Sequence, residues 1–72
     1  MLIWCQSKRV IVNTEKVESI YVQNEEILAE SGDGCYVLGR YRDDVISKGV
    51  FHSLAESVGK SPMFVMPGRD YE

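Results

Sequence analysis

The strongest constraint on the fold is one stretch, residues 34–58, which predicts a strand, a charged corner and an amphipathic helix. The strand segment, Cys35–Tyr41, is rich in aromatic and branched side chains, which suit a pleated surface. Three charged residues then break the apolar run. Among them, Asp43 is placed to cap a helix, and Asp44 adds negative charge where the helix dipole favours it. The sequence therefore predicts a helix that begins directly after a strand.

The predicted helix carries one apolar stripe, because residues three and four apart fall on the same helix face. The stripe and its flanks consist of Ile46, Val50, Leu54 and Val58 with Val45, Phe51 and Ala55. The opposite face is polar and consists of Ser47, Lys48, His52, Ser53, Glu56 and Ser57. Gly59 and Pro62 supply a stop after the stripe. Such a helix needs a sheet against which it can bury its apolar side.

Short segments of alternating or apolar residues predict that sheet. The predicted strands are residues 1–5, 10–12, 17–23, 26–31 and 35–41. Because short turns join most of them, we expect an antiparallel meander of about five strands. A single helical turn fits the polar connection at residues 14–17, and Ile20 and Val22 are expected to point inward. One helix packed on one face of such a sheet makes a two-layer α+β domain.

A short apolar run near the C-terminus, Met63–Met66, predicts one more strand at an edge of the sheet. It either returns to the sheet of its own chain or meets the sheet of a neighbouring molecule. We expect one domain over residues 1–68 and a frayed polar tail over residues 69–72. Because a chain of 72 residues has a small core, self-association is a natural supplement to its stability.

Charge and hydropathy argue against several classes of protein. The net charge of −3 and the pI near 5.0 do not fit a binder of duplex nucleic acid, which needs a basic patch. No stretch approaches 18 apolar residues, so we expect no membrane partner. The opening residues lack the length and the basic start of a secretion signal. We therefore expect a cytoplasmic protein whose Cys5 and Cys35 are reduced and lie in or near the core.

Three short motifs resemble one group of proteins. The opening segment carries Gln6, Lys8, Ile11, Val12 and Asn13 after an apolar strand. Leu38-Gly39-Arg40-Tyr41 precedes the predicted helix, and Met66-Pro67 follows the last apolar run. These motifs resemble small uncharacterised proteins of Firmicutes and their prophages, which have Leu-Gly-x-Tyr before a helix and Met-Pro near the C-terminus. The resemblance implies a strand-rich fold and a bacterial or prophage setting, and it implies no activity.

The histidine and cysteine residues do not form a recognisable chemical motif. His52, the single histidine, has Glu56 four residues later on the helix, but a structural zinc site wants four ligands. An enzyme that uses Cys35 or Cys5 as nucleophile would need His52 to turn towards the sheet. The cysteines also lack the C-x-x-C spacing of a redox motif.

The acidic and glycine-rich segments are explained by local structure. Asp43-Asp44 fits helix capping better than paired catalytic carboxylates. Gly32-x-Gly34 lacks the third glycine and the following helix of a dinucleotide-binding loop. We therefore expect no catalytic, cofactor-binding or metal-binding residue, no cofactor, and no enzyme activity.

Two non-catalytic functions are left. The first is a protein-interaction or assembly module that works through an open sheet face or edge as a homo-oligomer. The alternative is single-stranded nucleic-acid binding through exposed aromatic residues on strands. The candidate residues for that alternative are Trp4, Tyr21, Tyr36, Tyr41 and Phe64, with Lys8, Arg9, Arg40 and Arg42. The acidic net charge favours the first hypothesis.

Overall fold

The computed structural model describes residues 1–68. In this part of the chain, six strands form two small sheets, and one α-helix accompanies them. The elements are β1 (Leu2–Trp4), β2 (Ile11–Asn13), β3 (Ser19–Gln23), β4 (Glu26–Ser31), β5 (Gly34–Arg40), α1 (Asp44–Ser57) and β6 (Met63–Val65). A short 3-10 helix, Thr14–Lys16, follows β2 in the segment where the sequence is compatible with a single helical turn. The α+β class is confirmed. The expected polar tail of residues 69–72 lies outside the described residues.

Sheet B is the antiparallel meander β3-β4-β5, and it confirms the predicted order of these strands. A two-residue turn joins β3 to β4, and Asn24 in this turn has a φ of 54°. Asn tolerates this left-handed conformation better than most residues. The pairing between β4 and β5 shifts so that Leu38 becomes an extra residue in a bulge, where it is fully buried.

Sheet A has the order β2-β1-β6, so the prediction of about five strands in one sheet is wrong. The first hairpin is as predicted, but β2 does not continue into the meander. The side chain of Asn13 accepts a hydrogen bond of 3.0 Å from the backbone N–H of Glu15 and begins the 3-10 helix, which redirects the chain before β3. The C-terminal strand β6 pairs with β1 in parallel and forms an edge of sheet A within the same chain.

The helix begins where the sequence predicts. The Asp43 carboxylate accepts a hydrogen bond of 2.9 Å from the backbone N–H of Ile46 and caps α1. Val50 and Leu54 are buried, and Ile46 packs partly buried against the core. The helix contacts β3 and β4, so it covers one face of sheet B. At these three positions the stripe packs against the sheet, as predicted.

Four residues of the predicted helix differ from their predicted positions. Val45, Ala55 and Val58 are exposed, because Val45 and Ala55 lie on the flanks of the stripe and Val58 follows the last helical residue. Ser47 was placed on the polar face and is fully buried. Its hydroxyl lies 2.6 Å from the carbonyl oxygen of Asn24, so a polar side chain at this position joins the helix to the β3–β4 turn.

A single core joins the two sheets. Its fully or almost fully buried members are Ile3, Cys5, Val12, Ile27, Ala29, Leu38, Tyr41, Val50, Leu54 and Met66. Ile20 and Val22 pack against this cluster, as predicted. Cys35 is exposed, which corrects the expectation that both cysteines lie in or near the core.

Candidate interaction surface

Sheet A turns one side to the core and presents the other side outward. Ile3 and Val12 are buried, and Phe64 packs partly buried against the core. Since side chains alternate along a strand, the neighbours of these residues form the opposite side. We call this side the apolar face, and it consists of Leu2, Trp4, Ile11, Asn13, Met63 and Val65.

The strand register arranges the apolar face in two rows. Trp4 lies between Ile11 and Val65 in one row, and Leu2 lies between Asn13 and Met63 in the other. Ile11 is 53% exposed and Val65 is 47% exposed. Five of the six side chains are apolar and none carries a charge. Leu2 is exposed as well, whereas Trp4 and Met63 are half-buried, and we take this face as the candidate interaction surface.

The two ends of the apolar face differ in charge. At the β1–β2 turn, the Lys8 ammonium lies 4.9 Å from the centroid of the Trp4 ring, a cation–π contact. Arg9 follows it in the same turn and is exposed. At the other end, where β2 finishes at Asn13, the exposed Glu15 comes first in the chain. Lys16 follows Glu15 directly and is also exposed, so the rim is basic at one end and carries both signs of charge at the other.

The open edge beside the apolar face offers few backbone groups. Leu2 N donates to the Pro62 carbonyl oxygen (2.9 Å), and Met66 N donates to that of Trp4 (3.0 Å). Residues 62, 64 and 66 therefore face β1, and residues 63 and 65 face the open edge. The Ser61 hydroxyl donates to the Met63 carbonyl oxygen at 2.9 Å and occupies one of these groups. An edge this short and partly covered is a poor template for the addition of another strand. The apolar face is therefore a better candidate surface than the edge of β6.

The outer face of sheet B has a different composition. Its middle row consists of Tyr21, Leu28 and Val37, which lie opposite one another. On one side of this row the Arg40 guanidinium binds the Glu26 carboxylate, with Nε 2.9 Å from Oε2. On the other side lies Cys35, whose Sγ is 3.9 Å from the Tyr21 hydroxyl. This contact with Cys35 is the main reason why the pKa of Tyr21 is raised.

The residues considered for catalysis are not brought together. His52 Nε2 lies 3.4 Å from Glu56 Oε2, so these two residues share the exposed side of α1. Cys35 lies on the outer face of sheet B, whereas α1 packs on the inner face. Cys5 is buried, and burial raises the pKa of its thiol, which disfavours the reactive thiolate. Within residues 1–68, no three His, Cys, Asp or Glu side chains are close enough to hold a metal ion.

The aromatic residues considered for base stacking lie in different places. Tyr41 is fully buried and Phe64 packs against the core. Trp4 belongs to the apolar face, Tyr21 to the outer face of sheet B, and Tyr36 to a cleft between β2 and β5. Single-strand binding remains a prediction, and these five rings do not form one stacking platform.

A cleft also lies between the two sheets. Its volume is about 190 Å³, and its lining includes Val10, Val17 and Tyr36, with Lys16 and Asp33 as charged members. The cleft is smaller than the roughly 300–1,000 Å³ of typical ligand pockets. It therefore lacks the features of a small-molecule site.

The three motifs behind the family resemblance meet at the junction of the two sheets. The Gln6 side chain donates to the carbonyl oxygen of Arg40 (2.9 Å) and accepts from its N–H (3.0 Å). The Tyr41 hydroxyl donates to the Pro67 carbonyl oxygen at 3.1 Å. A Cβ atom on Gly39 would lie 2.7 Å from that hydroxyl, so only glycine leaves room for it. These motif residues are explained by packing and hydrogen bonding between the sheets.

The sequence analysis missed the apolar face, although a signal for it exists. Leu2-Ile3-Trp4 is a continuous apolar run, and alternation along a strand gives such a run apolar side chains on both faces. The helix of this chain covers sheet B. One apolar side of β1 therefore has no helix to cover it among residues 1–68.

Comparison with protein-family models, with curated proteins and with solved structures gave no significant match for this chain. The resemblance to small proteins of Firmicutes and their prophages therefore stays a prediction. None of the helices in residues 1–68 has the length and apolar character needed to cross a bilayer.

Proposed function

We propose that this protein is a small non-catalytic protein-interaction or assembly module, and that the apolar face of sheet A is its binding surface. The observation that carries the proposal is the composition of that face. Three adjacent strands present five apolar side chains and no charge, with the only tryptophan of the chain in the middle of a row. Tryptophan is enriched at the energetic centres of protein interfaces.

The shape and charge of the surface favour a protein as the partner. Small molecules bind in concave pockets that enclose most of their surface, whereas the apolar face is one side of an open three-stranded sheet. Nucleic-acid backbones need cations, and the six residues of the face supply none. An apolar surface on another protein matches both the open shape of the face and its lack of charge.

The proposal includes a bacterial or prophage setting and a cytoplasmic location. The setting rests on the resemblance of Gln6, Leu38-Gly39-x-Tyr41 and Met66-Pro67 to the family motifs. The location is supported by the two thiols. Cys5 is buried in the core, Cys35 is exposed on the outer face of sheet B, and both are free.

A matched pair of crosslinking sites tests the proposal. Val65 on the apolar face and Val37 on sheet B are both strand valines, with exposures of 47% and 49%. A photoreactive amino acid is placed at each position in turn, and the full chain is irradiated in the cells that produce it. We expect protein adducts from position 65 and few from position 37. Absence of adducts from position 65, or equal yields from both, would contradict the proposal.

Single-stranded nucleic-acid binding is the second candidate. The Lys8 ammonium above the Trp4 ring places a cation beside an aromatic face, a pairing that single-strand channels use. A filter-binding assay at low salt with mixed-sequence oligonucleotides tests it. Retention that is lost in Trp4→Ala would support this candidate, and no retention would end it.

A further inference from the structure

We infer that the open edge of β2 adds an extended strand from another protein, and that the cleft between the two sheets receives side chains of that strand. This site is separate from the apolar face, so its test does not depend on the proposed function. Three features of the described residues carry the inference: the direction of the β2 backbone groups, the position of the cleft along the strand edge, and the contact that Gln6 makes with β5.

The hydrogen bonds of the first hairpin show which backbone groups of β2 point outward. Cys5 N donates to the Val10 carbonyl oxygen at 2.9 Å, and Thr14 N donates to that of Met1 at 3.0 Å. In the register of this antiparallel pair, residues 10, 12 and 14 therefore face β1, and residues 11 and 13 face away from it. No strand of residues 1–68 pairs with that outer edge, because β2 is the outermost strand of sheet A.

The outer edge of β2 offers the N–H and C=O groups of Ile11 and the N–H group of Asn13. Asn13 is the N-cap of the 3-10 helix, so its carbonyl oxygen accepts within that helix. The Asn13 side chain turns to the N–H of Glu15 (3.0 Å) and does not cover the edge. The edge of β6 differs, since the Ser61 hydroxyl occupies the Met63 carbonyl oxygen there. An uncovered strand edge is a template for pairing with another chain.

The cleft between the two sheets follows this edge. Four consecutive residues, 10–13, line it, as expected where a cleft runs along the edge of a strand, since alternate residues line a face. The opposite wall includes Tyr36, which pairs with the buried Ala29 and therefore lies on the inner side of sheet B. A strand added to β2 would turn every second side chain towards Val10, Val17 and Tyr36. Those side chains are therefore expected to be apolar.

The far end of β5 already binds an extended segment of sheet A. Gln6, which follows β1, donates its backbone N–H to the Leu38 carbonyl oxygen at 2.8 Å. Its side chain exchanges two hydrogen bonds with the backbone of Arg40. Beyond this contact β2 and β5 do not pair, and each is an edge strand of its own sheet. An added strand would continue the contact that Gln6 begins and would join the two sheets across the cleft.

The lining of the cleft defines the chemistry of the added strand. Its charged members, Lys16 and Asp33, have opposite signs, which favours a segment without net charge. Backbone hydrogen bonds with apolar side chains at alternate positions are the usual mode of strand addition. Because the open edge is short and the cleft holds about 190 Å³, the occupant is a short segment that binds weakly and exchanges rapidly.

An NMR titration of the nitrogen-15-labelled full chain tests the inference. The probe is a neutral peptide in which threonine and valine alternate between a terminal lysine and a terminal glutamate. We expect slower exchange with solvent for the amide protons of Ile11 and Asn13, and no change for Val65, whose N–H faces the edge of β6. The control peptide has the same sequence with every interior amide N-methylated. It should not bind, because the methyl groups remove the donors and block the approach of the backbone.

A proline substitution tests the same hydrogen bond from the side of the protein. Ile11→Pro removes the outward N–H and no bond to β1, and edge strands tolerate proline where the N–H faces solvent. It should weaken binding of the peptide by about tenfold, and Ile11→Val should bind as the natural sequence does. If Ile11→Pro fails to fold by far-ultraviolet circular dichroism, the comparison of the two peptides decides.

Each contrary result overturns the inference in a different way. No binding at the solubility limit of the peptide, or equal binding of the N-methylated control, excludes strand addition. Changes confined to Val65 or to the indole of Trp4 would place the peptide on β6 or on the apolar face. Protection of Ile11 and Asn13 that grows with protein concentration, without peptide, would mean that a second copy fills the edge. Crosslinking from position 65 is independent of all these outcomes, so the proposed function is tested separately.

Discussion

The two sheets have the same number of strands and share one core, yet their outer faces differ. On sheet B, an apolar row is bounded by the ion pair between Glu26 and Arg40 and by the carboxylate of Glu30. On sheet A, both rows are almost entirely apolar. The inner faces of both sheets are apolar and buried in the shared core. The outer face of sheet B therefore carries charged side chains beside its apolar row, whereas the outer face of sheet A carries none.

The two sheets also differ in how the chain holds them together. Sheet B consists of consecutive strands joined by short turns, and α1 packs on it. Sheet A depends on the pairing of Leu2–Trp4 with Met63–Val65, from opposite ends of the described chain. The Gln6 side chain and backbone bind β5 and so connect sheet A to sheet B. The following predictions test whether the two sheets are one cooperative unit.

Leu54→Ala should have the largest effect. Leu54 is 2% exposed and belongs to the shared core, so its truncation should cost about 2–5 kcal/mol of the free energy of unfolding. Urea unfolding is followed by Trp4 emission, which reports on sheet A, and by circular dichroism, which reports on α1. Both signals should shift together. Val45→Ala, at an exposed helix position, should change the stability by about 0.5 kcal/mol or less. Separate transitions for the two signals would contradict a shared core.

Gln6→Ala should have the next largest effect, because it removes the hydrogen-bonded link between the sheets. The side chain bonds the backbone of Arg40 twice and the Pro67 carbonyl oxygen at 3.3 Å. Loss of these partners should cost about 1–3 kcal/mol. Gln23→Ala, on an exposed strand position, serves as the control. Equal effects of the two substitutions in urea would show that the link does not stabilise the junction.

Tyr41 should make the junction sensitive to high pH. Burial raises the pKa of Tyr41 to about 12, against 10.0 for the free side chain. The folded state therefore holds the phenol proton more tightly than the unfolded state. The stabilisation from Tyr41 is complete below about pH 10 and is lost as the pH rises towards about 12. Urea midpoints measured across this range should fall.

Two variants separate Tyr41 from the other tyrosines. Tyr41→Phe should lose about 1 kcal/mol at neutral pH, for the missing hydrogen bond to Pro67, and should show a flatter alkaline decline. Tyr21→Phe, on the exposed face of sheet B, should keep most of the decline. A decline that is the same in Tyr41→Phe as in the natural sequence would assign the effect to other groups.

Glu26→Gln should have the smallest effect. The ion pair with Arg40 lies on the surface, where such pairs contribute about 0.2–1 kcal/mol and are screened by salt. The cost should shrink when urea unfolding is repeated at high salt. Glu30→Gln, whose carboxylate has no such cation opposite it in the register, is the control. A loss well above 1 kcal/mol would mean that charge, and not the core, maintains sheet B.

The sequence predicted the local features of the fold and failed on the distant ones. The Asn24 turn, the Asp43 cap and the β3-β4-β5 meander depend on neighbouring residues, so their signals are short and specific. The single sheet was wrong because the parallel pairing of β1 with β6 has no local signature. Ser47 was misplaced because the Asn24 carbonyl oxygen that satisfies its hydroxyl lies in a distant turn.

The candidate surface was predictable in part. An open sheet face was expected as the site of interaction, but the residues that form it were not identified. The alternation within Leu2-Ile3-Trp4 and within Met63–Val65 defines the outward side of each strand. Which strands lie side by side, and which side the helix leaves bare, follows only from the topology.

The parallel pairing of β1 with β6 also affects how the chain folds while it is being synthesised. The β1–β2 hairpin is synthesised about 50 residues before the strand that completes its sheet, Met63–Val65. Sheet B and its helix can assemble in the interval, since their contacts are local. Throughout that time the edge of β1 that later pairs with β6 is open and both sides of the nascent hairpin are exposed, so a chaperone that binds residues 2–13 would cover a site prone to aggregation.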